Sequence, residues 1–163
     1  LAWIKTQQFS SIAVVGESIG SGPASFHAYR GDVDRLVLIT PFERLSAVAG
    51  EYYPYLPIKL LLKEDYDNIL WAQNAKNVFI VAGTGDTIIP FKHAKNLFDT
   101  LPQKNNRKTS FSRHSLGSEH EDMLTSLTHL GNKELFVLPG VDHNEVPALG
   151  KTQQKISRFL STE

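Results

Sequence analysis

Three side chains in this sequence have the chemical types that nucleophilic hydrolysis needs, and each follows a short apolar run. Ser18 comes after residues 12–15, Asp86 after residues 78–82 and His143 after residues 135–138. A serine hydroxyl needs a base to take its proton, and an imidazole is suited to that task. The imidazole in turn needs an acceptor on its other nitrogen. These residues therefore predict a serine nucleophile, a histidine base and an orienting aspartate.

The serine stands at the centre of a glycine-flanked pattern, which reads Gly16-Glu17-Ser18-Ile19-Gly20. Alone, the pattern is equally compatible with an ordinary tight turn. Between an apolar strand and a helix start it is typical of a nucleophile elbow, in which small residues let the strand and helix backbones come close. Glu17 is either at the site entrance or a solvated side chain.

The other two residues have alternatives. Asp86 precedes a predicted helix and would also serve as its N-cap, and Asp142 is a rival acid next to His143. His143 follows Pro139-Gly140 in a loop, which favours a base over a core histidine. The other histidines are expected on the surface or in helix packing, and His114, His120 and Glu121 lack a recognised metal-ligand spacing. No metal site and no cofactor is predicted.

The elements that must position these residues alternate along the chain. Strands are predicted at 9–15, 36–40, 78–82 and 135–138, and helices at 20–29, 42–50, 67–74, 91–101 and 146–160. Short continuous apolar strands alternating with helices predict an α/β fold, with a mostly parallel sheet covered by helices on both faces. In such sheets functional groups gather at the carboxyl ends of the strands, where Ser18, Asp86 and His143 would lie.

The chain of 163 residues suits one domain with two distinctive segments. Residues 52–63 are rich in aromatics and leucines, so they are either a core-covering loop and helix or a cap over an apolar site. Tyr53, Tyr55 and Leu56 are its candidate substrate-binding residues. Residues 103–133 are polar and turn-rich, which predicts a surface insertion or long loop.

The composition excludes several classes of function. The 17 basic and 17 acidic residues balance, so no nucleic-acid partner is expected. The sequence has no cysteine, which excludes thiolate catalysis and disulfides. No run of 18 apolar residues predicts a membrane span. The expected partner is a small or lipid-like acyl substrate; the compartment, cytoplasmic or membrane-associated, and the oligomeric state stay open.

The order Ser18, Asp86, His143 resembles that of the α/β-hydrolases. Two further segments are similar to that superfamily's acid segment and histidine loop: residues 83–90, Gly-Thr-Gly-Asp-Thr-Ile-Ile-Pro, and residues 140–145, Gly-Val-Asp-His-Asn-Glu. The resemblance is to the small esterase, lysophospholipase and acyl-protein-thioesterase-like branch. It implies a serine hydrolase that cleaves ester or thioester acyl bonds. A peptidase of the same fold and a non-catalytic binding domain are the alternatives.

The sequence departs from that superfamily at its start. The superfamily's sheet begins with strands that precede the elbow strand, whereas here the elbow strand follows Leu1 almost directly. We therefore expect the C-terminal part of a longer protein and an N-terminally incomplete fold. In that superfamily the oxyanion hole uses the backbone N–H after the nucleophile, here that of Ile19, and a second N–H from an earlier loop. The resemblance therefore implies that Ile19 supplies half of the oxyanion hole and that the second donor comes from outside this sequence.

Overall fold

The structure, a computed structural model, describes residues 2–7, 9–102 and 132–161. Its strands are β1 (Ala13–Glu17), β2 (Arg35–Ile39), β3 (Asn77–Gly83) and β4 (Asn132–Leu138). They form one parallel sheet in the order β1-β2-β3-β4. The helices are α1 (Ala2–Lys5), α2 (Ser21–Tyr29), α3 (Leu45–Tyr52), α4 (Ile58–Leu61), α5 (Asn68–Trp71), α6 (Phe91–Thr100) and α7 (Gly150–Ser161). The predicted α/β class and parallel sheet are confirmed.

The core has two sides because successive strand residues point to opposite faces of the sheet. On one face, Leu36, Leu38, Val78 and Ile80 pack with Ala24 and Ala28 of α2 and Ala94 and Leu97 of α6. On the other face, Val37, Ile39, Phe79 and Val81 pack with Ile156 of α7, and Phe159 stacks on Phe79 with ring centroids 5.3 Å apart. Helices thus cover both faces, as predicted from the continuous apolar strands.

The predicted burial of β1 on both faces is wrong for the described residues. Val15 is 50% exposed, and the strand begins at Ala13 and extends to Glu17 instead of covering 9–15. The physical reason is that the two faces of β1 are covered differently. Exposure alternates along the strand, with Ala13, Val15 and Glu17 exposed, and the buried cluster on the face of Val15 contains no residue of β1.

Other boundaries also differ from the prediction, among them those of the last helix and of the insertion. The last helix begins at Gly150 and not at residue 146, because turns around Val146 and Ala148 lead into it. The last two residues of the predicted insertion, Asn132 and Lys133, belong to β4. The rest of the insertion, residues 103–131, lies outside the described residues. Within the described ranges, no helix has the length and apolarity to span a bilayer.

The elbow strand and helix touch at Gly16. A Cβ on Gly16 would lie 2.5 Å from the carbonyl oxygen of Gly20 and 2.6 Å from the Cβ of Ala24. Because real Cβ contacts are longer than this, only glycine fits at that position. The sequence pattern predicts that a small residue is also required at Gly20. The structure shows no such requirement, because a Cβ there would meet no atom within 4 Å.

We predict that Gly16→Ala lowers the free energy of unfolding by roughly 1–3 kcal/mol, since the added methyl group has no space. Gly50→Ala is the matched control, because Gly50 lies inside α3 with open space around it. That change should raise stability by about 0.5–1 kcal/mol through helix propensity. Urea denaturation of both variants checks the pair, and equal midpoints would contradict the close approach at Gly16.

Candidate active site

Ser18 lies at the turn between β1 and α2. Its φ of 51° is in the left-handed region, where non-glycine residues are uncommon. The next residues form a 3₁₀ turn, Ser18–Gly20, that leads directly into α2. Glu17 is in register with Ile39 of β2, and the residue after Ile39, Thr40, also has positive φ at 47°. Such backbone conformations cost on the order of 1–3 kcal/mol each, and they cluster at functional sites.

Asp86 lies in the loop after β3, and its two carboxylate oxygens have different partners. Oδ1 accepts hydrogen bonds from the backbone N–H groups of Ile88, at 2.9 Å, and Ile89, at 2.7 Å. Oδ2 lies 2.7 Å from Nδ1 of His143. The N-cap of α6 is Pro90, so Asp86 orders its own loop and is not the helix cap. Both Asp86 and His143 are buried.

His143 links the aspartate to the serine. Its Nδ1 faces Asp86 and its Nε2 lies 3.0 Å from Oγ of Ser18. With the ring proton on Nδ1, the imidazole donates to the carboxylate and its Nε2 accepts from the serine hydroxyl. This is the arrangement in which an imidazole removes a serine proton while a carboxylate stabilises the imidazolium that forms. The structure thus brings together the three side chains that the sequence singles out.

The loops that follow β3 and β4 are bound to each other. The N–H of Gly85 donates to the carbonyl of Val141 at 3.1 Å, and the N–H of Gly140 donates to Oγ1 of Thr84 at 2.8 Å. A Cβ on Gly83 would lie 2.1 Å from the carbonyl oxygen of Val141. The two loops therefore lie in direct backbone contact, which sets the distance between Asp86 and His143.

Asp142, the rival acid, binds backbone groups of the two loops, and no hydrogen bond among the described residues joins it to the imidazole. Its Oδ1 accepts from the N–H of His143 at 2.8 Å, and from the N–H and Oγ1 of Thr87 at 3.2 and 3.3 Å. These bonds favour the charged carboxylate, so the N–H of His143 first and that of Thr87 second hold the pKa of Asp142 below its usual value. The structure gives Asp142 a place between the two loops.

Helix α3 also contacts the loop of Asp86, a contact that the sequence does not signal. The hydroxyl of Tyr52 lies 2.6 Å from the carbonyl oxygen of Thr87 and 2.9 Å from that of Ile88. Glu51 lies 3.0 Å from Nε2 of His93 and 2.8 Å from Nζ of Lys92, both at the start of α6. Helix α3 thus holds both the loop and the helix that follows it.

The remaining candidate residues lie in exposed positions. Glu17 and the side chain of Ile19 face solvent at the turn. Tyr53 and Leu56 line an open groove of about 330 Å³, with Pro54, Pro57 and Ile58 among its other walls. Tyr55 is 97% exposed and does not line that groove. Within the described ranges, no hydrogen bond joins these three residues to Ser18 or His143.

A larger cavity, of about 620 Å³, lies far from Ser18. It is lined by residues at the amino ends of the strands, among them Arg35, Asn77 and Asn132. Functional groups of parallel sheets gather at the opposite ends of the strands, so we assign the site by the chemistry of its residues and not by cavity size. The part of the chain that the structure describes holds no cluster of three metal-ligating side chains. His114, His120 and Glu121 lie outside it.

We predict that Asp86→Ala lowers the free energy of unfolding by about 1–3 kcal/mol, because two backbone N–H groups lose their acceptor. Asp86→Asn keeps an oxygen at that position and should lose less. Thermal unfolding of both variants measures the difference. Equal losses would contradict the role of Oδ1 in ordering this loop.

Comparisons with known proteins give two relatives and a large set of similar folds. No protein-family model matches the chain. The uncharacterized proteins MT2364 and Rv2307c of Mycobacterium tuberculosis, from strains CDC 1551 and H37Rv, are each 38% identical over 153 residues. The match covers 92% of this chain and 44% of each relative. The chain therefore spans less than half the length of the curated relatives it matches.

Solved structures resemble the chain in fold at low sequence identity. The Pyrococcus furiosus esterase Pf2001 has a TM-score of 0.61 and 17% identity, over 98% of this chain and 57% of that one. Acyl-protein thioesterase 2 of Zea mays has a TM-score of 0.53 and 11% identity, over 98% of this chain and 60% of that one. Dipeptidyl peptidase 4 of Porphyromonas gingivalis has a TM-score of 0.57 and 12% identity, over 93% of this chain and 19% of that one. The chain therefore has an α/β-hydrolase-like fold, of which it supplies a part.

Proposed function

We propose that this chain contains the nucleophile, base and acid of a serine hydrolase that cleaves an ester or thioester acyl bond. The observation that supports it is the continuous set of hydrogen bonds from Ser18 Oγ through His143 to Asp86, with distances of 3.0 and 2.7 Å. The left-handed backbone of Ser18 adds support, because a nucleophile elbow has this strained turn. Neither of the mycobacterial relatives has a named activity.

In the proposed mechanism Ser18 Oγ attacks the substrate carbonyl carbon while His143 Nε2 takes the hydroxyl proton. The carbonyl oxygen becomes an oxyanion, and the backbone N–H of Ile19 is one of its two donors. The tetrahedral intermediate then expels the alkoxide or thiolate, which receives the proton from His143. Water then gives a proton to His143 and attacks the acyl-enzyme. The bond between the acyl carbon and Ser18 Oγ breaks, Ser18 Oγ receives that proton from His143, and the carboxylic acid is released. Asp86 holds the Nδ1–H of His143 through both halves of the reaction.

The first experiment is labelling with a fluorophosphonate probe, done on the protein as its gene encodes it. The intact protein should take the label, and Ser18→Ala should take none because the attacking oxygen is gone. Hydrolysis of a p-nitrophenyl ester should fall by roughly 10⁴- to 10⁶-fold in the same variant. Ser10→Ala, at an exposed serine of the same chain, is the matched control and should behave as the unchanged protein does.

Absence of label from the intact protein, or equal label on the Ser18 variant, would contradict the hydrolase proposal and favour the non-catalytic binding domain. The peptidase alternative uses the same three side chains, so it needs a separate test. A matched ester and amide of one acyl group provide it. Ser18-dependent cleavage of the amide would replace the esterase proposal with the peptidase, because the ester is the more reactive compound of the pair and both classes of enzyme cleave it.

For the substrate class we propose an apolar acyl group bound by the cap-like segment 52–63. Tyr53 and Leu56 line a groove whose walls are mostly apolar, and Tyr55 extends from the same segment. The segment starts at Tyr52, whose hydroxyl contacts the loop of Asp86, so its first residue lies next to the site. Glu17, exposed beside Ser18, is proposed at the entrance.

We predict that Leu56→Ser flattens the rise of kcat/KM with acyl-chain length. Each buried methylene contributes about 0.8 kcal/mol, which is roughly fourfold in rate, and the polar side chain removes part of that gain. Leu70→Ser is the matched control, since Leu70 has nearly the same exposure, 50% against 51%, and does not line the groove. Rates for p-nitrophenyl acetate through octanoate measure the slope. Equal slopes in both variants would contradict the groove as the acyl site.

A further inference from the structure

Asp142 binds the backbone N–H of the proposed base, His143, yet the proposed mechanism gives it no role. We propose that Asp142 is a positioning residue, whose Oδ1 holds the loops after β3 and β4 so that His143 Nδ1 stays on Asp86. The inference rests on the proposed function, because it assigns a role in that same site. Asp142 itself touches neither substrate nor reacting atoms in this role.

The argument starts from the neighbours that Oδ1 binds. It accepts from the N–H of His143 and from the N–H and hydroxyl of Thr87. His143 is the proposed base and Thr87 directly follows Asp86, so one oxygen fixes backbone groups at or next to both residues. Backbone groups of the two loops are also joined between Thr84 and Gly140 and between Gly85 and Val141, earlier in each loop than Thr87 and His143. Asp142 is thus the link nearest to the proposed proton path.

Thr87 is held from two sides. Its N–H donates to Asp142, and its carbonyl oxygen lies 2.6 Å from the hydroxyl of Tyr52 on α3. The peptide groups on both sides of Thr87 therefore have fixed partners in two different elements. Without the hydrogen bonds to Asp142, Thr87 would keep its bond to Tyr52 of α3, and the loop of Asp86 would be freer to shift relative to His143.

The charge of Asp142 supports a persistent link. The N–H groups of His143 and Thr87 lower its pKa because they bind the ionised form. A carboxyl with a lowered pKa is ionised at every pH above that value, so these bonds have full strength at neutral pH. They weaken only as the pH falls through the lowered pKa.

Asp142→Ala tests the inference in the protein as its gene encodes it. The proton shared by His143 Nδ1 and Asp86 gives a far-downfield ¹H NMR signal, which should broaden or vanish because the two loops are no longer held together. The kcat for a p-nitrophenyl ester should fall roughly 10- to 100-fold with KM unchanged, as a small misplacement of a catalytic group has this effect. If that variant does not fold, Asp142→Ser replaces it, since its side chain is too short to reach Thr87.

Two further variants separate position from charge and from surface change. Asp142→Asn keeps an oxygen that accepts the same bonds, so it should retain the NMR signal and most of the kcat. Asp99→Ala removes an exposed carboxylate whose partner is Lys95 on the same helix, and it should leave both readouts unchanged. An Asp142→Ala protein with the intact signal and kcat would overturn the inference. So would an Asp142→Asn protein as impaired as the alanine variant, since charge and not hydrogen bonding would then matter.

A different result would contradict the proposed function. Its failure is the absence of Ser18-dependent label and ester hydrolysis in the unchanged protein. The NMR signal needs no turnover, so it decides whether Asp142 positions His143 in either case.

Discussion

The site depends on a close crossing of two backbones at Gly83. Adjacent strands lie about 4.8 Å apart, and β1 and β4 stand at opposite ends of the described four-stranded sheet. Three strand spacings, roughly 14 Å, therefore separate the strand of Ser18 from the strand before His143. Yet His143 Nε2 lies 3.0 Å from Ser18 Oγ. The loop after β4 must pass over the carboxyl end of β3 toward β1, and a side chain on Gly83 would meet the carbonyl of Val141 at 2.1 Å.

This crossing explains why the loop of Asp86 has its particular partners. A loop that passes over another needs bonds to it, and the pairs Gly85 with Val141 and Thr84 with Gly140 supply them. Asp86 then reaches His143 with Oδ2, while its Oδ1 accepts from the N–H groups of Ile88 and Ile89 in its own loop. The imidazole is buried, and each of its ring nitrogens faces a partner. Its orientation follows from the backbone contacts beneath it.

Much of this arrangement could be predicted from the sequence because local patterns encode it. Apolar runs predicted all four strands, and Ser18, Asp86 and His143 each follow one of them, so the parallel order placed them at one edge. The roles of Asp142 and Tyr52 could not be predicted, since they depend on which loops touch after folding. The exposure of Val15 was missed for a related reason. An apolar run shows that a strand can be buried, whereas burial itself depends on which helices pack over each of its faces.

The free side of β1 has a practical consequence for handling this chain. In the part that the structure describes, β1 pairs with β2 alone, which leaves a row of backbone N–H and C=O groups next to the exposed Val15. Unpaired strand edges act as templates for another chain. We therefore expect this chain, when it is prepared by itself, to self-associate through β1. A charged residue placed on that edge, or a strand paired with it, should prevent the association.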